Sequence, residues 1–150
     1  MIRILSFTRC ARGSATVEAA LVVPFLLTIG LGAGEVAGVV NETHRMKAGL
    51  ASGARLLARA QDPTAVEAEA RNLAVTGVRT GGTARVAGWT PAQVAVSYRM
   101  VSNAAGTYTG GASIRIVRLT STKPYHGLGL LRLAKAGQVS AAHEERWTGG

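Results

Sequence analysis

The sequence predicts an α+β fold: a long N-terminal membrane-spanning helix, a second short helix and a small antiparallel sheet. Three observations carry it. A 22-residue apolar stretch, Ala19 to Val40, is broken by one charge, Glu35. Helical spacing of apolar residues then continues without proline as far as Ala60. Beyond Gly77 the apolar period drops to two, as a half-buried strand requires.

The front of the chain explains an odd composition. A mean hydropathy of +0.20 sits beside a formal net charge of +9, and the two agree only if apolar residues are concentrated in one place. Residues 1–13 hold Arg3, Arg9 and Arg12 and no acid. The apolar run that follows is about 33 Å long as a helix, enough for a hydrocarbon core of roughly 30 Å. The three leading arginines, against Arg45 and Lys47 beyond the run, point the N-terminus to the cytoplasm. An ordinary secretory signal has a shorter apolar core and a small-x-small cleavage site. Here the only candidates for such a site are Ala33 and Ala37, set among glycines.

Inside the helix, Gly30, Gly34 and Gly38 recur every four residues and share a face on which backbones can approach closely. The alternative is that glycine is simply common in membrane helices and in this chain, which has 19. Pro24 removes a backbone donor from the Ala20 carbonyl and favours a kink. Glu35 is expected at the far interface, solvated. Glu18 is the informative residue, because a carboxylate at the start of a spanning helix costs a few kcal/mol, about 2.5–3.5 at the centre. One reading puts it in the headgroup zone, favoured by the positive end of the helix dipole. In the other, a peptidase cuts the small junction Gly13–Ser14, and the new α-ammonium of Ser14 neutralises Glu18 of its own or a neighbouring chain.

The run Arg12-Gly13-Ser14-Ala15-Thr16-Val17-Glu18-Ala19-Ala20-Leu21-Val22-Val23-Pro24 resembles the opening of TadE-like proteins, minor pilin-like (pseudopilin) components of the tight-adherence branch of the type IV pilus machinery. The resemblance covers about residues 13–47, and Pro24 and Glu35 fall where the family commonly has a proline and a second glutamate. His143-Glu144-Glu145-Arg146-Trp147 is also similar to the end of such proteins. The resemblance implies cleavage by a prepilin peptidase after Gly13, with Glu18 as the hallmark acid, and a pilin-like plan. It divides the chain into a basic leader (1–13), a transmembrane helix segment (14–40) and a periplasmic or extracellular α+β domain (41–150). Ala19 stands where the family usually has an aromatic, which argues against a short major pilin with Glu-Tyr there.

The remaining elements follow from local patterns. One helix is expected from about Ser14 to Arg59, with Leu50, Ala54, Leu57 and Ala58 as its buried stripe. Asp62-Pro63 stops it. Thr64 and Glu67 have capping-box spacing for a second helix, whose stripe is Val66, Ala70, Leu73 and Ala74 and whose end is Gly77. A strand is expected over 93–101, with Val94, Val96, Tyr98 and Met100 on one face. A second spans Ala112 to Leu119, its alternation slipping at Ile116-Val117 through a bulge or through two-sided burial. Lys123-Pro124 to Lys135 reads as a loop with an apolar piece, Leu128 to Leu133, and a last strand covers Gln138 to Trp147.

Catalytic patterns are missing from the sequence. His44, His126 and His143 are scattered, without metal-ligand spacing. The glycines of Gly30-Leu31-Gly32-Ala33-Gly34 lie within the apolar span, where they form no phosphate loop. Glu144 and Glu145 are adjacent, so a strand sends them to opposite faces. Cys10 lacks a lipobox before it. Removing residues 1–13 leaves 14 basic against 8 acidic residues, a net +6 spread along the chain, which does not suggest specific nucleic-acid binding. The expectation is a structural pilus subunit with no cofactor, not an enzyme, in the bacterial inner membrane. Its expected partners are the prepilin peptidase, other pilin-like subunits and the inner-membrane assembly platform. The competing reading is a signal-anchored or secreted periplasmic binding module.

Overall fold

A computed structural model describes residues 11–109, 111–127, 129 and 137–149, with the backbone alone for 11–14. It has an α+β fold with a long apolar N-terminal helix and a small antiparallel sheet. The leader residues 1–10, Cys10 among them, lie outside the described residues, as does most of the apolar piece from 128 to 133.

Helix α1 runs from Ala11 to Arg59, 49 residues, or about 73 Å. It is already helical at Ser14 and passes through Pro24 without interruption. Its two halves differ in what surrounds them. From Ala15 to Gly34 every residue is exposed except Gly32, which is half-buried. From Met46 onward one face is sealed, and Met46, Leu50, Ala54 and Leu57 have no exposed surface. The expected stripe is thus correct but starts a turn early, at Met46.

Helix α2 (Glu67–Thr76) follows a 3-10 turn over Thr64–Val66. The capping box expected from Thr64 and Glu67 does not form. Asp62 Oδ1 instead accepts from the Thr64 backbone N–H (2.9 Å) and hydroxyl (2.6 Å). The Glu67 carboxylate is drawn away to Arg71 and to the Tyr98 hydroxyl. An Asx turn wins because Asp62 is only two residues from the amide it caps. These hydrogen bonds, the Thr64 hydroxyl first, hold the Asp62 carboxyl below its usual range. Gly77 ends α2 as expected, at φ +89° with its N–H on the Leu73 carbonyl (2.9 Å).

The sheet is a meander of β1 (Val94–Ser102), β2 (Ser113–Pro124) and β3 (Gln138–Arg146), with β2 central and all pairs antiparallel. Pairing is continuous from Val94↔Ser121 to Ser102↔Ser113 and from Ile116↔Arg146 to Pro124↔Gln138. The slip at Ile116-Val117 is therefore two-sided burial and not a bulge: Val117 and Leu119 face the helices while Ile114 is buried on the other side. Strand β2 also extends five residues past the expected Leu119, so Lys123 and Pro124 belong to it and not to a loop. Backbone pairing with β3 holds them there. The apolar face of β1 is covered at Val94 and half-covered at Val96, while Tyr98 and Met100 are exposed. Burial lifts the Tyr98 phenol well above its ordinary pKa, and its hydrogen bond to Glu67 adds to the rise.

The core lies where α1, α2 and the sheet meet, and glycine sets the spacing. A Cβ on Gly49 would strike the Ala74 carbonyl and the Trp89 ring, and one on Gly53 the Ala70 carbonyl and Leu119. Gly49 and Gly53 thus face Ala70 and Ala74, a small-residue match of the same four-residue spacing as Gly30 and Gly34. Alanine is favoured over glycine by about 1 kcal/mol in a helix interior, but a fixed backbone carbonyl cannot make room. Gly49→Ala should therefore lower stability by about 1–3 kcal/mol, read from the midpoint of chemical unfolding. An unchanged or raised midpoint would show that the two helices can separate freely.

The end of the chain closes the other side of this core. After β3, the Trp147 indole N–H donates to the Ala60 carbonyl (2.9 Å) and the Thr148 N–H to the Ala58 carbonyl (2.9 Å). The Ala58 carbonyl belongs to the last turn of α1 and the Ala60 carbonyl lies just beyond it, where helical partners run out. Arg115 stacks over the Trp147 ring at 4.9 Å.

Candidate functional site

The feature with functional character is the exposed half of α1 and the collar where it enters the globular domain. Residues 15–34 rise about 30 Å along the axis, matching the thickness of a hydrocarbon core. An 18-residue window of this helix has a mean hydropathy of 1.9 and none of it is buried. Val17, Leu21, Phe25, Leu26 and Leu27 are each around 60–74% exposed. A face of that size has no solvent match in water. One N-terminal helix is therefore long and apolar enough to cross a membrane or act as a signal segment.

The sequence-predicted residues distribute along this rod. Gly13 and Ser14 lie in the first described turn of α1. Glu18 is exposed one turn later, among apolar side chains. The Pro24 carbonyl accepts from the Thr28 hydroxyl (2.8 Å), a side-chain bond back to the preceding turn. Gly30 and Gly34 have open space above them, whereas a Cβ on Gly38 would overlap the Tyr125 hydroxyl. The face these glycines share is thus free at its first two positions and filled by the chain itself at the third.

Glu35 corrects the expectation of a solvated interfacial acid. It is 2% exposed, because the segment after β2 folds back over α1. Its Oε1 accepts from the Gly129 N–H (2.9 Å), and its backbone carbonyl accepts from the Tyr125 hydroxyl (3.2 Å). Burial raises the Tyr125 phenol above its ordinary pKa, with the charges of Glu35 and Glu42 adding to the effect.

Two turns further on, Lys123 lies on the inner face of β2 with its side chain wholly enclosed. Its Nζ donates to Glu42 Oε2 on α1 (2.8 Å) and to the Pro124 carbonyl (3.1 Å). A buried ammonium is tolerated only when paired in this way. Tyr125, Lys123 and the Gly129 amide together form a polar collar gripping α1 from Glu35 to Glu42. Sequence reasoning missed it. The available signal was Lys123 on the same parity of β2 as Val117 and Leu119, a charge placed on an apolar strand face.

The remaining candidate groups do not converge on a catalytic centre. Glu144 pairs with Arg99 (3.2 Å) and Arg118 (3.3 Å) on the outer sheet face, and Glu145 with His143 (3.0 Å) on the inner side. The adjacent glutamates are split between faces as the strand period requires. Among the described residues, no group of three or more His, Cys, Asp or Glu side chains is placed to hold a metal ion.

A family model described as TadE-like protein matches residues 13–55. The match begins at the glycine of the expected cleavage junction. It covers the exposed rod and the collar turns, and ends within the helical face that packs on α2. No curated protein and no solved structure matches the chain.

Proposed function

We propose, from the TadE-like match over residues 13–55 as premise, that this chain is a minor pilin-like subunit of a tight-adherence pilus and secretion apparatus. In this reading it enters the bacterial inner membrane as a precursor, with residues 1–13 cytoplasmic and the α+β domain from residue 41 onward periplasmic. A prepilin peptidase removes the leader after Gly13 and leaves the rod in place. The mature subunit then associates through α1 with other pilin-like helices at the assembly platform. Its role is structural. It is the substrate of a peptidase and needs no cofactor.

The observation that carries the reading is the pairing of two facts about one segment. The family match starts at Gly13, and the helix that follows leaves an exposed apolar rod instead of burying it in its own core. A soluble domain would leave such a surface to aggregate. A bilayer, or the packed helices of a filament, gives it a solvent. Glu18 lies near the start of that rod, where a freed α-ammonium at Ser14 provides an opposite charge. The mature N-terminus tests this directly. Edman sequencing of the protein from membranes or filaments should read Ser-Ala-Thr-Val-Glu from Ser14. A terminus beyond residue 33 would instead support a secreted binding module, and an intact Met1 in functional material would overturn the proposal.

A further inference from the structure

We infer that the groove between the C-terminal end of α1 and α2 is a docking site for an acidic, amphipathic segment of a protein other than this chain. The groove has a volume of about 730 Å3 and lies on the opposite end of the domain from the rod. Its floor is apolar: Leu56 and Val66 are half-buried against the core, and Leu73 is half-buried beside them. Its rim carries three cations against one acid, with Arg55 and Arg59 one helical turn apart on α1, Arg79 facing them from beyond α2, and Asp62 turned to its own Thr64. Arg55 and Arg59 are exposed, and neither makes an ion pair or side-chain hydrogen bond among the described residues. Arg79 has only a loose contact with Glu69, 3.8 Å between two largely exposed groups.

Charge complementarity selects the occupant. Three guanidiniums above an apolar floor call for carboxylates flanking apolar side chains, the pattern of an amphipathic helix laid in a groove. A second copy of this chain is a poor source. Of the six acids after Val40, Glu42, Glu67 and Glu144 pair with Lys or Arg of their own chain, Glu145 lies against His143, and Glu69 has only the loose contact with Arg79. The sixth, Asp62, is held by Thr64. The membrane is excluded by distance: Arg59 is 19 residues past Val40, about 28 Å along the helix, well beyond a screening length of roughly 8 Å.

The test uses the full chain in detergent micelles and a fluorescein-labelled helical peptide of roughly twelve residues, with Leu at i, i+4 and i+7 and Glu between them. Fluorescence anisotropy should show saturable binding that weakens as NaCl rises from about 50 to about 300 mM. Arg55→Glu/Arg59→Glu should weaken it at least about tenfold, a factor set by losing two charge-assisted contacts. Arg45→Glu/Lys47→Glu carries the same change in charge outside the groove and should leave binding within about twofold. Circular dichroism checks that both variants are folded. The inference is overturned by an absence of saturable binding or by equal loss in the two double variants. It is also overturned if a Leu-free peptide binds as tightly, or if anionic phospholipid vesicles displace the peptide. None of these results depends on where the leader is cut, so this inference and the pilin reading fail separately.

Discussion

Glu18→Ala is expected to leave the chain in the membrane and processed, while filament assembly falls to background. The two effects separate because the carboxylate acts differently on each step. Insertion gains when the acid is removed, since a charge within an apolar helix costs a few kcal/mol, about 2.5–3.5 at mid-bilayer. Assembly loses because the proposed partner, the α-ammonium freed at Ser14, keeps its charge and has nothing to meet. Two unit charges about 4 Å apart attract by on the order of 4 kcal/mol at an effective dielectric near 20, and each 1.4 kcal/mol is roughly a factor of ten. Losing that attraction is enough to empty an assembled state. Glu18→Gln keeps the shape and should fail as alanine does, whereas Glu18→Asp should retain part of the yield. Membrane-fraction immunoblots and the mass of sheared filaments give the two readings. Normal filament yield from the alanine variant would remove the charge pair from the mechanism.

The second large effect is an asymmetry at the collar. Glu42→Ala should destabilise the domain by about 3 kcal/mol or more, the cost of leaving a buried charge unpaired. Lys123→Met should cost less than about 1 kcal/mol, as replacing a buried charge with an apolar chain often does. Exposure gives the sign. The Lys123 side chain is 0% exposed and the Glu42 side chain 22%, so a stranded glutamate can still reach water and a stranded lysine cannot. The double variant Glu42→Ala/Lys123→Met should lie near Lys123→Met alone. Urea unfolding in micelles, followed by the fluorescence of buried Trp89, measures all three. Equal losses in the two single variants would mean that the pair is solvated and that the collar does not grip α1.

Much of the architecture was legible because it depends on neighbours in the chain. The apolar run, the stop at Asp62-Pro63, the left-handed Gly77 and the alternation of β1 are decided within a few residues, where composition and backbone preference dominate. Misreadings came where two local signals competed. Thr64 and Glu67 had the spacing of a capping box, yet Asp62 was closer to the same amide and took it. Lys123-Pro124 looked like a loop because a charge and a proline seldom continue a strand; pairing with Val139 and Gln138 overrode that preference.

Of the candidate site, the exposed rod could be found from order alone, since a long apolar helix is visible in composition and length. The collar could not. Glu35 with Gly129, Glu42 with Lys123 and Ala60 with Trp147 are contacts between residues 81 to 94 positions apart. The same holds for which glycines are used inside the domain. Gly30, Gly34 and Gly38 stood out by spacing, but it is Gly49 and Gly53 that admit a second helix, because α2 returns along that turn of α1. Linear order thus specified which parts of this chain are greasy, helical or extended. Which polar groups became sealed inside, and which small residues carry the closest contacts, was settled only when distant segments met, since the cost of burying a charge or a Cβ depends on the atom opposite it.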